Sequence, residues 1–231
     1  MFFQFKFWYF LTNPHQLANQ LQTSSMRGFK KRVWMVCMIG VVLFALRDGW
    51  GMTTESITPI LSTMTTTDYT IARYASLIGA IIWALLYFVF HFFGMSFILS
   101  LFTAIPFKQL LPMQLLMTGI LLLEKAAIIL VFMMKGVATH VSFLSLGPLA
   151  ITFLDYSYFT LFLNQLTLTT VLIIVFQYRF ICAYTGLHEG KRLLWLLLTL
   201  HIGMALVVAA VSFMPMENLF QMIAVGGIGD E

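Results

Sequence analysis

Apolar residues gather into five long runs along the chain, separated by stretches where charge, glycine, proline and threonine concentrate. The central run, LPMQLLMTGILLLEKAAIILVFMMKG from Leu111 to Gly136, sets the scale for the rest. Its 24 residues from Leu111 to Met134 predict a helix of roughly 36 Å, against a bilayer hydrocarbon core of about 30 Å, enough to cross a membrane with some tilt. The first run, Val33 to Leu46, has only 14 uninterrupted apolar-type residues, so as a span it needs its flanking Arg and Lys side chains to snorkel, and Trp50 extends its far end. The second lies within Ile71 to Ala104, long enough to tilt or bend near Gly94 before Pro106 ends it. The fourth is Tyr158 to Tyr178 and the fifth Leu193 to Met214. Residues 137–157 are apolar but interrupted by Gly147-Pro148, which predicts an interfacial or re-entrant helix rather than a complete span.

The fold class that follows is all-α, an integral membrane bundle of five transmembrane helices with an N-terminal interfacial amphipathic helix. Residues 1–32 form the N-terminal segment, 33–214 the transmembrane domain and 215–231 an extracytoplasmic tail, mobile beyond a short turn. In the N-terminal segment, Thr12 or Asn13 can cap a helix that starts at Pro14, and Leu17 and Leu21 recur at i, i+4 on an otherwise polar stretch. With Trp8 and Tyr9 ahead of it and the basic cluster Arg27, Lys30, Lys31 and Arg32 behind it, this segment suits the surface of an anionic leaflet; docking to a partner is the competing reading. No small-residue cleavage site follows the aromatic opening, so the N-terminus is expected to be retained. The stretch from Arg47 to Thr70, rich in Thr and Gly with Asp48, Glu55, Pro59 and Asp68, reads as an aqueous loop that can hold a short helix around Glu55.

Composition agrees with the pattern. Hydrophobic residues make up 60% of the chain and charged residues 10%, where soluble domains carry about a quarter, and the mean hydropathy is +0.91. The excess of basic over acidic residues, 13 − 9 = 4, is a matter of loop topology and not a nucleic-acid surface. On the five-span arrangement one side collects Lys6, the Arg27–Arg32 cluster of four, Lys108, Arg179, Lys191 and Arg192, nine in all, and the other collects Arg47, Arg73 and Lys135, three. The richer side is cytoplasmic, which puts the N-terminus inside and the C-terminus outside. The two cysteines, Cys37 and Cys182, have no metal-ligand or redox spacing and read as packing residues.

The chemistry that needs explanation lies inside the spans. Glu124 and Lys125 sit near the middle of the central helix, where an ionisable side chain costs about 2.5–3.5 kcal/mol on insertion scales, and adjacent residues point about 100° apart, so each needs a partner on another element. An interhelical polar clamp, a contact with a partner protein, and a proton or ion path are the three readings. Thr160, Asn164, Thr167 and Thr170 fall nearly on one face of the fourth span and are the candidate neighbours of that pair. His201 shares a face with Ala205 and Ala209, as a packed helix-contact histidine or a proton site. Ala72, Ser76, Ala80 and Ala84 form a small-residue stripe that lets another helix approach closely.

Catalytic signatures are missing. His188-Glu189 is not followed by the second histidine of HExxH, there is no GxSxG or Walker-type phosphate loop, and the five histidines show no ligand spacing, so neither a metal nor another cofactor is implied. The opening FWYFLTNPHQLANQL before a basic run, the order of spans and the closing FQYRFICAYTGLHEGKRLLWLLLTLHIGMAL resemble the Yip family, particularly its bacterial five-span members. The DLYGP-type motif of the eukaryotic members is absent. This resemblance implies a plasma-membrane accessory protein that assists assembly or modulation of a macrolide-exporter-like ABC efflux transporter and protects against a peptide toxin. It carries no catalytic residues. The expected partners are the lipid bilayer and another integral membrane protein such as ABC transporter subunits, with a possible oligomer. The runner-up is a small transporter or channel using Glu124 and Lys125, and an intramembrane enzyme comes third.

Overall fold

The computed structural model describes residues 2–52, 65–137, 139, 141–154, 158–187 and 190–213. They fall into two compact units, one of residues 1–139 and 171–194, the other of residues 140–170 and 195–231. The middle of the expected aqueous loop, with Glu55 and Pro59, and the expected tail lie outside the described residues.

The first unit opens with a strand, β1 (Phe2–Gln4), that pairs in parallel with β2 (Ser25–Arg27), placing Phe2 opposite Ser25. This small sheet was not anticipated from the sequence. Between the strands lie α1 (Phe7–Thr12) and α2 (Pro14–Thr23). Proline starts α2, as expected, and Asn13 stands at its N-cap; but the Asn13 side chain turns back, donating to the Tyr9 carbonyl at 3.2 Å, and so closes α1 instead. The apolar face of α2 is covered by the protein itself, with Leu17 and Ala18 fully buried, and the aromatic side chains that this segment presents outward are Phe2, Trp8 and Tyr9.

Helix α3 (Phe29–Gly49) starts four residues earlier and ends three later than the apolar run alone predicts. Val36, Gly40, Phe44 and Asp48 are buried at i, i+4 spacing, and Trp34, Met38 and Val42 point outward. Next comes an unbroken helical run of α4 (Thr66–Val89), a π-helical turn (Phe90–Gly94) and α5 (Met95–Phe102), whose span-length apolar part is Tyr69–Phe102. The π turn falls where the bend was expected near Gly94, and it seats Phe92 in the core, stacked on Phe88 at 5.3 Å. After residues 103–106 the chain returns as α6 (Phe107–Lys135), packed against α5 and the π turn. Pro112 lies inside the helix. It stands close enough to the start of α6 that its missing N–H and its ring disturb only the first turns, and it is buried. Gly136, at φ +67°, closes α6 in the left-handed conformation.

Phe7 fixes the N-terminal segment to this bundle. Its ring lies so close to Gly119 of α6 that a Cβ there would stand 2.5 Å from the ring's Cζ. Only a residue without a side chain admits this approach.

In the second unit, α7 (Gly147–Phe153) has 7 residues, about 10 Å of helix and too short to cross a bilayer. The fourth span differs from the single helix Tyr158–Tyr178 read in the sequence: α8 (Tyr158–Gln165) stops, and α9 (Leu168–Thr185) starts afresh and runs on into residues of the first unit. The cause is local. Leu146 N–H donates to Leu166 and Leu168 N–H to Leu144, an antiparallel bridge that takes the backbone at 166–168 out of the helical ladder. The last helix, α10 (Lys191–Phe213), buries Leu197, His201, Ala205 and Ala209 along one stripe and exposes Trp195 at 70%.

Among the described residues, four helical stretches, Tyr69–Phe102, Phe107–Lys135, Leu168–Thr185 and Lys191–Phe213, are long and apolar enough to cross a membrane. Large apolar side chains cover much of their outer faces, a surface suited to hydrocarbon and not to water. The protein is an all-α membrane protein.

Candidate functional site

Charged and polar side chains from α3, α4 and α6 meet inside the first unit. Asp48, 2% exposed, continues the buried stripe of α3 by one more turn, and its Oδ1 accepts a hydrogen bond from Ser76 Oγ of α4 at 2.6 Å. Arg73, one turn before Ser76, donates through Nη2 to the carbonyls of Asp48 at 3.3 Å and Gly49 at 3.2 Å. These are terminal carbonyls of α3, that of Asp48 also accepting from Gly51 N–H at 2.8 Å, and a guanidinium there meets the negative end of the helix dipole. Asp48 belongs to α3 and not to the aqueous loop expected from Arg47 to Thr70; the signal that places it is its i+4 spacing from Phe44.

Glu124 is buried at 6% exposure, and Lys125 is half-buried. Glu124 lies close enough to Tyr87 of α4 and to Lys125 for direct charge interaction, and Lys125 also lies in the field of Arg47 from α3. Tyr87 packs on Phe44, with ring centroids 5.5 Å apart, and on His91 of the π turn at 4.3 Å. The central pair is therefore surrounded by α3 and α4. Deeper in the unit Gln177 of α9 donates to Gln114 of α6 at 3.3 Å, both side chains buried, and this amide pair ties the two helices.

The small-residue stripe is graded. Ala84 is buried at 2% exposure, whereas Ala72, Ser76 and Ala80 are half-buried, and Ser76 acts through its hydroxyl as much as through its size. Thr160, Asn164 and Thr167 belong to the second unit. Asn164 Oδ1 accepts from Ser142 N–H at 2.9 Å and Ser145 Oγ at 2.8 Å, fastening α8 to the segment before α7. Thr167 Oγ1 accepts from Thr170 N–H at 3.2 Å, so Thr167 is the N-cap of α9. Thr160 is fully buried. His201 bonds through Nδ1 to the Leu197 carbonyl at 3.0 Å, within its own helix. Arg27, Lys30, Lys31 and Arg32 are all exposed, on β2 and the first turn of α3. Cys37 and Cys182 are free and half-buried. Among the described residues no group of three or more His, Cys, Asp or Glu stands ready for a metal ion.

Set against family models, curated proteins and solved structures, the chain matches none.

Proposed function

We propose that the chain is a five-span accessory protein of a cell membrane that has no catalytic activity of its own and works by contacting another integral membrane protein. In this reading α3 is the fifth span: its 21 residues give about 31 Å, matching the roughly 30 Å hydrocarbon core, and its charges lie within the first and last turns. The N-terminus is cytoplasmic and the C-terminus extracytoplasmic, from the nine-to-three basic asymmetry. The segment before α3 is the interfacial one, resting on the leaflet through Phe2 and Trp8.

The observation that carries the proposal is that the intramembrane charged groups are engaged by polar groups of the bundle itself. Asp48 engages Ser76, Arg73 holds the end of α3, and Glu124 faces Tyr87 and Lys125, so these groups spend their interactions on joining three helices. A clamp of this kind makes a rigid scaffold with an apolar exterior, which suits a protein that packs against a partner in the bilayer. The resemblance to bacterial Yip members names the partner class: an ABC-type efflux complex, which the chain would help assemble or modulate in resistance to a peptide toxin.

Affinity purification of the full chain from native membranes in mild detergent tests this. Copurification of a subunit bearing a Walker-type nucleotide site, together with no ion flux from the reconstituted chain alone, is the expected result. Repeated recovery of the chain alone, with flux that depends on Glu124, would replace the accessory role by the transporter reading. Reporter fusions test the topology, and a C-terminus that reads as cytoplasmic would remove α3 from the spans or add another.

A further inference from the structure

A cavity of about 610 Å³ lies in the first unit where α1 crosses α3 and α6, within the roughly 300–1,000 Å³ usual for ligand sites. Met35, Val36, Ile39 and Leu43 of α3 form one wall, and Leu122, Leu123 and Ala126 of α6 the other. Phe7, Trp8 and Tyr9 lie across it. Two cations, Lys6 and Arg32, line the same space. Arg32 belongs to the first turn of α3. Lys6 is brought beside that turn by the pairing of β1 with β2 and by the ring of Phe5, which stands 6.1 Å from that of Phe29. Neither cation has a hydrogen bond or ion pair among the described residues.

An occupant therefore needs an anionic end and an apolar body. The distance between the two ends identifies it further. Arg32 and Leu43 are eleven residues apart on one helix face, about 16 Å, which is half of the roughly 30 Å core and so the depth of one leaflet. An extended peptide would leave its backbone groups facing aliphatic walls without hydrogen-bond partners. A hydrocarbon chain has no such groups. We propose that this groove binds one anionic phospholipid, with its phosphate held by Lys6 and Arg32 and one acyl chain lying between α3 and α6.

Native mass spectrometry of the full chain in mild detergent, titrated with phosphatidylglycerol and phosphatidylcholine of equal chain length, reads the preference directly. Two cations, each contributing the usual attraction to anionic lipid, give roughly a thirtyfold preference for phosphatidylglycerol. Lys6→Gln with Arg32→Gln should reduce it to threefold or less, whereas Lys30→Gln with Lys31→Gln, on the same exposed turn but outside the groove, should leave it intact. The charge-preserving pair Lys6→Arg with Arg32→Lys should retain it, which separates loss of charge from loss of fold. Ala126→Phe, which fills the acyl part, should weaken binding of both lipids, and glycerol 3-phosphate should not displace the bound lipid. Equal binding of the two lipids by the unaltered chain would overturn the proposal. So would an equal loss in the Lys30/Lys31 variant, which marks diffuse surface attraction, and so would displacement by glycerol 3-phosphate, which marks a site for a free phosphate ester.

Discussion

Gly119→Ala tests whether the N-terminal segment is held on α6 by the contact with Phe7. The new methyl carbon would stand 2.5 and 2.6 Å from two ring carbons of Phe7, where carbon atoms prefer about 3.5–4.0 Å, an overlap of about 1 Å. The ring must move, and overpacking of this size costs about 1–3 kcal/mol. Replacing a helix-interior glycine by alanine has its own opposite effect, a gain of about 0.5–1 kcal/mol. The net expectation is a destabilisation of up to about 2.5 kcal/mol. In a Phe7→Ala background the overlap is gone and only the helix gain remains, so the same substitution should stabilise by about 0.5–1 kcal/mol. The sign reverses between backgrounds, and the coupling in the double-mutant cycle is about 1–3 kcal/mol. Unfolding in mild detergent, followed by tryptophan fluorescence, measures all four proteins, and Trp8 beside Phe7 reports on the contact itself. Equal effects of Gly119→Ala in the two backgrounds would refute the reasoning.

Substitutions at four further positions probe the rest of the bundle. Ala84→Leu forces bulk into a position only 2% exposed and should cost about 1–3 kcal/mol or block monodisperse elution in size-exclusion chromatography, while Ala80→Leu, at a half-buried site, should be milder. Glu124→Gln should lower the melting temperature less than Glu124→Leu, because the amide still hydrogen-bonds among Tyr87 and Lys125; a Gln variant that assembles normally but loses the protective phenotype would instead mark Glu124 as a proton carrier. Thr167→Val removes the cap of α9 and should cost about 0.5–2 kcal/mol, with faster hydrogen exchange at Thr170, whereas Thr167→Ser should keep both near normal.

Much of this architecture is legible in the sequence, because apolar length is a strong signal and the boundaries of α6 and α10 follow from it closely. Polar positions are ambiguous. Threonine and asparagine serve equally on a helix face, at a cap or in a turn, and their spacing does not tell these apart. Thr160, Asn164, Thr167 and Thr170 fit one helical stripe by number, yet Asn164 bonds to Ser142 and Ser145 and Thr167 caps a new helix. The pairing of residues 144–146 with 166–168 that breaks the helix is a contact between segments, and periodicity is blind to it. Asp48 was hidden for the opposite reason: charge placed it in a loop, although its spacing from Val36, Gly40 and Phe44 already carried it onto the buried face.

The position of the charge cluster follows from the shortness of α3's apolar run. Fourteen residues give about 21 Å of apolar helix, some 9 Å less than the hydrocarbon core, so on the five-span reading charged residues at one or both ends of α3 must enter the membrane. Lys30, Lys31 and Arg32 are exposed at the start and can snorkel to the headgroups. Asp48 has a short side chain and is buried, so it cannot. Left alone in hydrocarbon it would cost several kcal/mol. Ser76 supplies a hydrogen bond to its carboxylate and Arg73 satisfies the carbonyls beside it, both from a helix whose small side chains let α3 come close enough. The small-residue stripe and the polar cluster are thus two parts of one solution, in which α4 supplies to the end of α3 the solvation that water supplies to a longer span. Asp48 and Arg73, engaged in this way, join the end of α3 to α4.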